Sequence, residues 1–126
     1  MSFAAAATTS GGLPWRMMPR RRNEPNGQLD LLLMATIAGG PQHGYAIIQT
    51  LNQRSGGRFA MLEGTVYPAL HRLEELGLVA SRATEVGGRR RRVYELTPLG
   101  TQALVERREA WDQFAAGVNA VLLSAS

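Results

Sequence analysis

Apolar residues recur along this chain in blocks whose spacing predicts four helices and one hairpin. The first block covers residues 28–38, where Leu29, Leu31, Leu32, Leu33, Met34, Ala35 and Ile37 make a helix apolar almost all round. Such a helix needs cover on more than one side. Gly39, Gly40 and Pro41 stop it. Residues 42–54 predict a second, shorter helix with Tyr45, Ile47, Ile48 and Leu51 on its apolar side. Gly44, near its start, suits a close backbone approach. In the third, residues 63–76, Val66, Leu70, Leu73 and Leu76 form a core stripe, and Thr65, Pro68, His71, Arg72 and Glu75 are left for other faces. Gly77 ends it. Leu78, Val79 and Ala80 then open a strand that pairs with Val93, Tyr94, Glu95 and Leu96 across a turn at Gly87-Gly88. Thr97 suits an N-cap and Pro98 a first helical position, starting a last helix over 98–123. Leu104, Trp111, Phe114, Val118, Val121 and Leu122 recur along it at three and four.

The order helix, helix, helix, strand, hairpin, strand, helix describes a winged helix-turn-helix with a trailing helix. The expected fold class is therefore mainly α with a small β-hairpin. The last helix is longer than a small core needs, so its outer half is expected to dimerise. Residues 1–25 read as a flexible basic arm, 26–97 as the DNA-binding domain and 98–126 as the dimerisation helix. Apolar surface in excess of one core places Leu33 and Met34 at the subunit interface, opposite Phe114, Val118 and Leu122.

Charge sharpens this picture. The 126 residues carry a net +4, with no lysine. Residues 82–92 hold five Arg against one Glu, and residues 93–126 hold two Arg against four acids. Arg89, Arg90, Arg91 and Arg92 are consecutive. Four adjacent guanidiniums repel one another, so a protruding hairpin holding them in solvent is expected, where a polyanion can neutralise them. A solvated surface turn is the plainer alternative. There is no cysteine, which excludes disulfides and thiolate chemistry and fits a cytoplasmic setting. His43 and His71 are the only histidines, with no acid–base or metal-ligand spacing around them, so no enzyme, metal or cofactor is expected. No apolar run reaches the 18 residues of a membrane span.

With those pieces in place, the sequence resembles the PadR-like transcriptional regulators, in particular the short subgroup with a single C-terminal helix. The matching segments are residues 29–48, LEGTVYPALHRLEELGLV at 62–79 and GRRRRVYELTPLG at 88–100. The resemblance implies a cytoplasmic, nucleoid-associated homodimer that represses transcription from a pseudo-palindromic double-stranded operator. It further implies that Tyr67 lies near the operator backbone, with Thr65 and His71 on the same exposed region; Arg72, beside them on the third helix, is either an exposed operator contact or a salt-bridged helix residue. Arg89 to Arg92 fall on the wing, and Tyr94 packs beneath it or touches phosphate. Trp111 matches a tryptophan that borders a flat ligand pore in multidrug-binding members, with Asp30 and Leu31 beside it. Ala115 departs from that pattern, because an acidic residue is expected there. Any effector is then expected to be planar, aromatic, and neutral or weakly charged. A ligand-independent regulator and a protein-binding winged-helix module are the alternatives.

Overall fold

The structure, a computed structural model, describes residues 26–125. The basic arm expected over residues 1–25 lies outside the described residues. Helix α1, Asn26–Ile37, is the hub. Leu29, Leu33, Met34 and Ile37 are buried on it, and Leu31, Leu32 and Ala35 pack half-buried against the same core. Its apolar circumference is covered because three other helices lean on it. Fully burying one such side chain contributes about 1.5–3 kcal/mol. Leu33 and Met34 are therefore core residues of a single protomer, and the sequence-based expectation that they lie at the subunit interface is corrected. An apolar helix surface must be covered, but the protomer's own helices cover this one.

The segment after α1 differs from expectation. Gln42–His43 is a short strand, β1, and α2 begins only at Gly44, running to Arg54. His43 caps α2, its ring Nδ1 accepting from the Ala46 N–H at 3.3 Å. Helix α3, Glu63–Glu75, buries Val66, Ala69, Leu70 and Leu73. Pro68 lies inside this helix. It offers no N–H to the Gly64 carbonyl one turn before it.

Strands β2, Val79–Val86, and β3, Arg89–Leu96, form the expected hairpin, but each is eight residues long, well beyond the apolar stretch that signals it. Gly87 and Gly88 both have positive φ, 58° and 79°, as a tight two-residue hairpin turn requires. The antiparallel sheet runs β1-β3-β2, with His43 opposite Val93 and Val79 opposite Leu96.

Helix α4, Pro98–Ser124, starts as the sequence indicates. The Thr97 hydroxyl accepts from the Gly100 N–H at 2.9 Å and donates to the Gly77 carbonyl at 2.6 Å. Gly100 does more than weaken the helix: a Cβ there would lie 1.9 Å from the Leu78 carbonyl oxygen. Ala103 and Leu104 complete the core, after which α4 leaves it. Trp111, Phe114, Val118, Val121, Leu122 and Leu123 are all exposed. The whole is the mostly helical winged helix-turn-helix class, with a small antiparallel sheet and a long C-terminal helix.

Candidate nucleic-acid interface

The buried stripe of α3 dictates what its other face offers. Thr65, Pro68, His71 and Glu75 are exposed. Tyr67 is half-buried, its ring lying over the start of α2. A Cβ on Gly44 would come within 2.5 Å of Tyr67 Cε1 and Oη. The close approach that Gly44 suggested is real, and its partner is the aromatic ring of the third helix. Tyr67 is thus held in place by α2.

Arg72 lies at the edge of the same face but turns inward. Its Nη2 is 2.5 Å from Asp30 Oδ1, and its side chain is 35% exposed. Of its two expected roles, an exposed operator contact or a salt-bridged helix residue, the ion pair to Asp30 supports the second. Asp30 turns inward as well. Expected beside a ligand pore, it is 5% exposed and holds Arg72 on one oxygen and Arg107 on the other, the latter at 3.6 Å. Burial pushes its carboxyl above the ordinary aspartate value, and the two arginines pull it partly back.

On the hairpin, strand alternation divides the arginine run between two faces. Arg90 and Arg92 share a face with Tyr94, whereas Arg89 and Arg91 share the other. Arg89, Arg90 and Arg92 are exposed and Arg91 is half-buried. Nη1 of Arg91 lies 3.4 and 3.5 Å from the two ring nitrogens of His43. Arg92 donates to Ser81 Oγ at 3.0 Å, and Ser81 donates in turn to Glu74 Oε2 at 2.6 Å. Those bonds tie the base of the wing to α3. Tyr94 is 2% exposed, so of its two expected roles, packing beneath the hairpin or touching phosphate, only the first fits the structure. Burial raises its hydroxyl above the usual phenol value, with the Glu74 charge adding to the effect.

Of the residues expected around a ligand, Trp111 is 43% exposed, its ring centroid 5.9 Å from that of Phe114, and Leu31 is half-buried against the core. Sequence alone places Arg107, with Arg108, Glu109 and Asp112, mostly on the outer faces of the last helix, and it misses the capping role of His43. Arg107 had a signal: it falls between Leu104 and Trp111 at three and four, on the apolar stripe itself. Among the described residues no group of side chains has metal-ligand geometry, and no helix is long and apolar enough to cross a membrane.

Comparison with known proteins agrees with this geometry. The model of the transcriptional regulator PadR-like family matches residues 32–106. Transcriptional regulator Rv3488 of Mycobacterium tuberculosis is 43% identical over 85 residues, which is 68% of this chain and 77% of that one. Transcriptional regulator YqjI of Escherichia coli is 32% identical over 90 residues, 71% of this chain but 42% of its own length. Among solved structures, a PadR family transcriptional regulator from Eggerthella lenta superposes with a TM-score of 0.68 at 30% identity, covering 76% of this chain and 82% of that one. A transcriptional regulator from Clostridium thermocellum gives 0.71 at 26% identity, covering 78% and 96%.

Proposed function

Because the chain belongs to the PadR-like family of transcriptional regulators, we propose that it is a homodimeric repressor of a nearby promoter, acting at the nucleoid in the cytoplasm. The observation that carries this reading is the pairing of two surfaces. The helix that exposes Thr65 and His71 is bonded, through Glu74 and Ser81 near its C-terminal end, to a hairpin presenting Arg89, Arg90 and Arg92 to solvent. Thr65 and His71 read the operator, Tyr67 positions its backbone, and the wing arginines neutralise phosphates. Residues 26–97 form the DNA-binding unit, and 98–126 the dimerisation helix. The exposed side chains of Trp111, Phe114, Val118 and Leu122 supply an apolar patch that a second copy covers. Two α3 helices then face half-sites about 34–36 Å apart on a pseudo-palindrome.

A planar aromatic effector at the dimer centre, stacked on Trp111 near Leu31, fits the same arrangement. With Asp30 turned inward and Ala115 in place of an acid, nothing here calls for a cationic ligand. The test begins with sequencing genomic fragments retained by the purified full-length protein, followed by footprinting. A symmetric footprint that survives competitor DNA, with altered site preference in a Thr65→Ala, His71→Ala variant, is the expected result. Failure to retain any duplex above competitor refutes the reading.

A further inference from the structure

The recognition helix α3 and the dimer helix α4 make no extensive contact with each other; each packs on α1. Two links therefore join the surface that reads DNA to the helix that pairs protomers: the bonds of Thr97 to Gly77 and Leu78 at the start of α4, and α1, on which both helices pack. Asp30 is the α1 residue that grips charged groups on both. One carboxylate oxygen takes Arg72 of α3 and the other takes Arg107 of α4. The side chains of Asp30 and Arg107 are only 7% and 12% exposed. This bridge is a poor choice if stability alone is wanted, since charges withdrawn from water cost more to desolvate than a well-packed apolar trio. Burial outweighs both arginines in its effect on the Asp30 carboxyl, which says the same. What such a bridge supplies is direction. The short bond orients Arg72 on one oxygen, and the ion pair at 3.6 Å draws Arg107 to the other, so both helices are referred to one carboxylate on α1.

We propose that Asp30, bridging Arg72 and Arg107, is a positioning residue that sets the angle of the recognition helix to the dimer helix and so determines operator affinity without touching DNA. The proposal rests on the DNA-binding reading above and adds residues that reading does not use. Asp30 and Arg107 act inside the protomer. Arg72 acts through its inward bond. The bridge is also a route by which a change in α4 packing reaches α3.

The test uses full-length Asp30→Asn, Arg107→Gln and the double variant, with Arg107→Lys as the conservative control. Operator and random-duplex affinities are measured by anisotropy, and amide hydrogen exchange of α3 and α4 is followed without DNA. Expected is an operator affinity lowered tenfold or more in Asp30→Asn and Arg107→Gln, with random-duplex affinity changed less than threefold. The double variant should lose no more than the worse single one, and Arg107→Lys should recover most of the loss. Exchange should quicken in α3 when the change is made on α4. Folded, dimeric variants with wild-type operator affinity and unchanged α3 exchange overturn the proposal, as does additive loss in the double variant. Should Asp30→Asn not fold, Arg107→Gln decides alone. Should the wild type bind no duplex, the DNA-binding reading fails, and the exchange of α3 in Arg107→Gln still decides the coupling.

Discussion

Replacing Gly100 with alanine should destabilise the protein, although alanine is the better helix former by about 1 kcal/mol. The added methyl would sit 1.9 Å from the Leu78 carbonyl oxygen and 2.9 Å from its carbon, where ordinary contact begins at 3.4 Å. The start of α4 must therefore back away from the chain before β2 by about 1.5 Å, the difference between 3.4 and 1.9 Å. Both neighbours are backbone, so no side chain can swing aside. The same carbonyl accepts from the Thr97 N–H at 3.1 Å, and Thr97 also bonds the Gly77 carbonyl. Overpacking costs about 1–3 kcal/mol, and each hydrogen bond lost about 1 more. After the propensity gain, a net loss of about 2–4 kcal/mol is expected. Urea unfolding followed by circular dichroism, at one protein concentration, measures it. Gly117→Ala is the control: nothing lies within 4 Å of its added methyl, and it should gain about 1 kcal/mol. If Gly100→Ala is as stable as wild type, or moves in the same direction as Gly117→Ala, the close-packing argument is wrong.

The other expectations test separate parts of the site. Gly44→Ala should displace the Tyr67 ring, leaving the unfolding midpoint nearly unchanged while operator affinity falls about tenfold (about 1.4 kcal/mol); unchanged affinity would take Tyr67 off the DNA. Phe114→Ala removes two exposed rings from the proposed dimer, at about 1.5–3 kcal/mol each, and sedimentation should show the dimer weakened at least about a hundredfold. A monomeric wild type at low micromolar concentration would dispose of the interface altogether. Arg89→Ala with Arg90→Ala should flatten the salt dependence of DNA binding by up to about 3.6 logarithmic units, for four phosphate contacts per dimer. An unchanged slope would place the wing in solvent. Burial raises the Asp30 carboxyl above its ordinary 3.8, so the folded state binds that proton more readily than the unfolded chain. Its ionisation then costs stability above the folded value, and that cost is relieved as pH falls through it towards 3.8. Wild type should therefore gain on Asp30→Asn as the solution is acidified, and a pH-independent difference between the two would contradict the assigned cause.

Long periodic segments were readable because burial leaves a repeat at three and four, as in Val66, Leu70 and Leu73. Short or two-sided features leave none. The strand at Gln42–His43 has no room for alternation, and its pairing with Tyr94 and Val93 is decided by residues fifty positions away. The outer halves of β2 and β3 bury neither face and show no apolar alternation, so only the turn glycines and the charge run signalled them. Leu33 and Met34 show the limit of composition: the sequence states how much apolar surface α1 carries, not whether a sister helix or a sister subunit covers it. Arg72 and Asp30, 42 positions apart, each looked available until folding brought them together. Nothing near Gly100 in the sequence marks it as a packing position, because the carbonyl it accommodates belongs to Leu78, 22 residues earlier.

The two-residue strand β1 has a mechanical consequence out of proportion to its length. It runs without a break into α2 and pairs with β3, the central strand of the sheet. The arginine-bearing ribbon is thereby bolted to the helix pair at its root, and the Arg92–Ser81–Glu74 bonds fasten it again on the other side. Ribbon and helix pair travel as one calliper jaw, with no hinge between grip and reading edge. In a dimer of such jaws the quantity left to adjust is the gap between them. Control of this regulator would then be a matter of matching that gap to the helical repeat of DNA, and insertion of a few base pairs between half-sites should abolish binding as surely as losing the half-sites themselves.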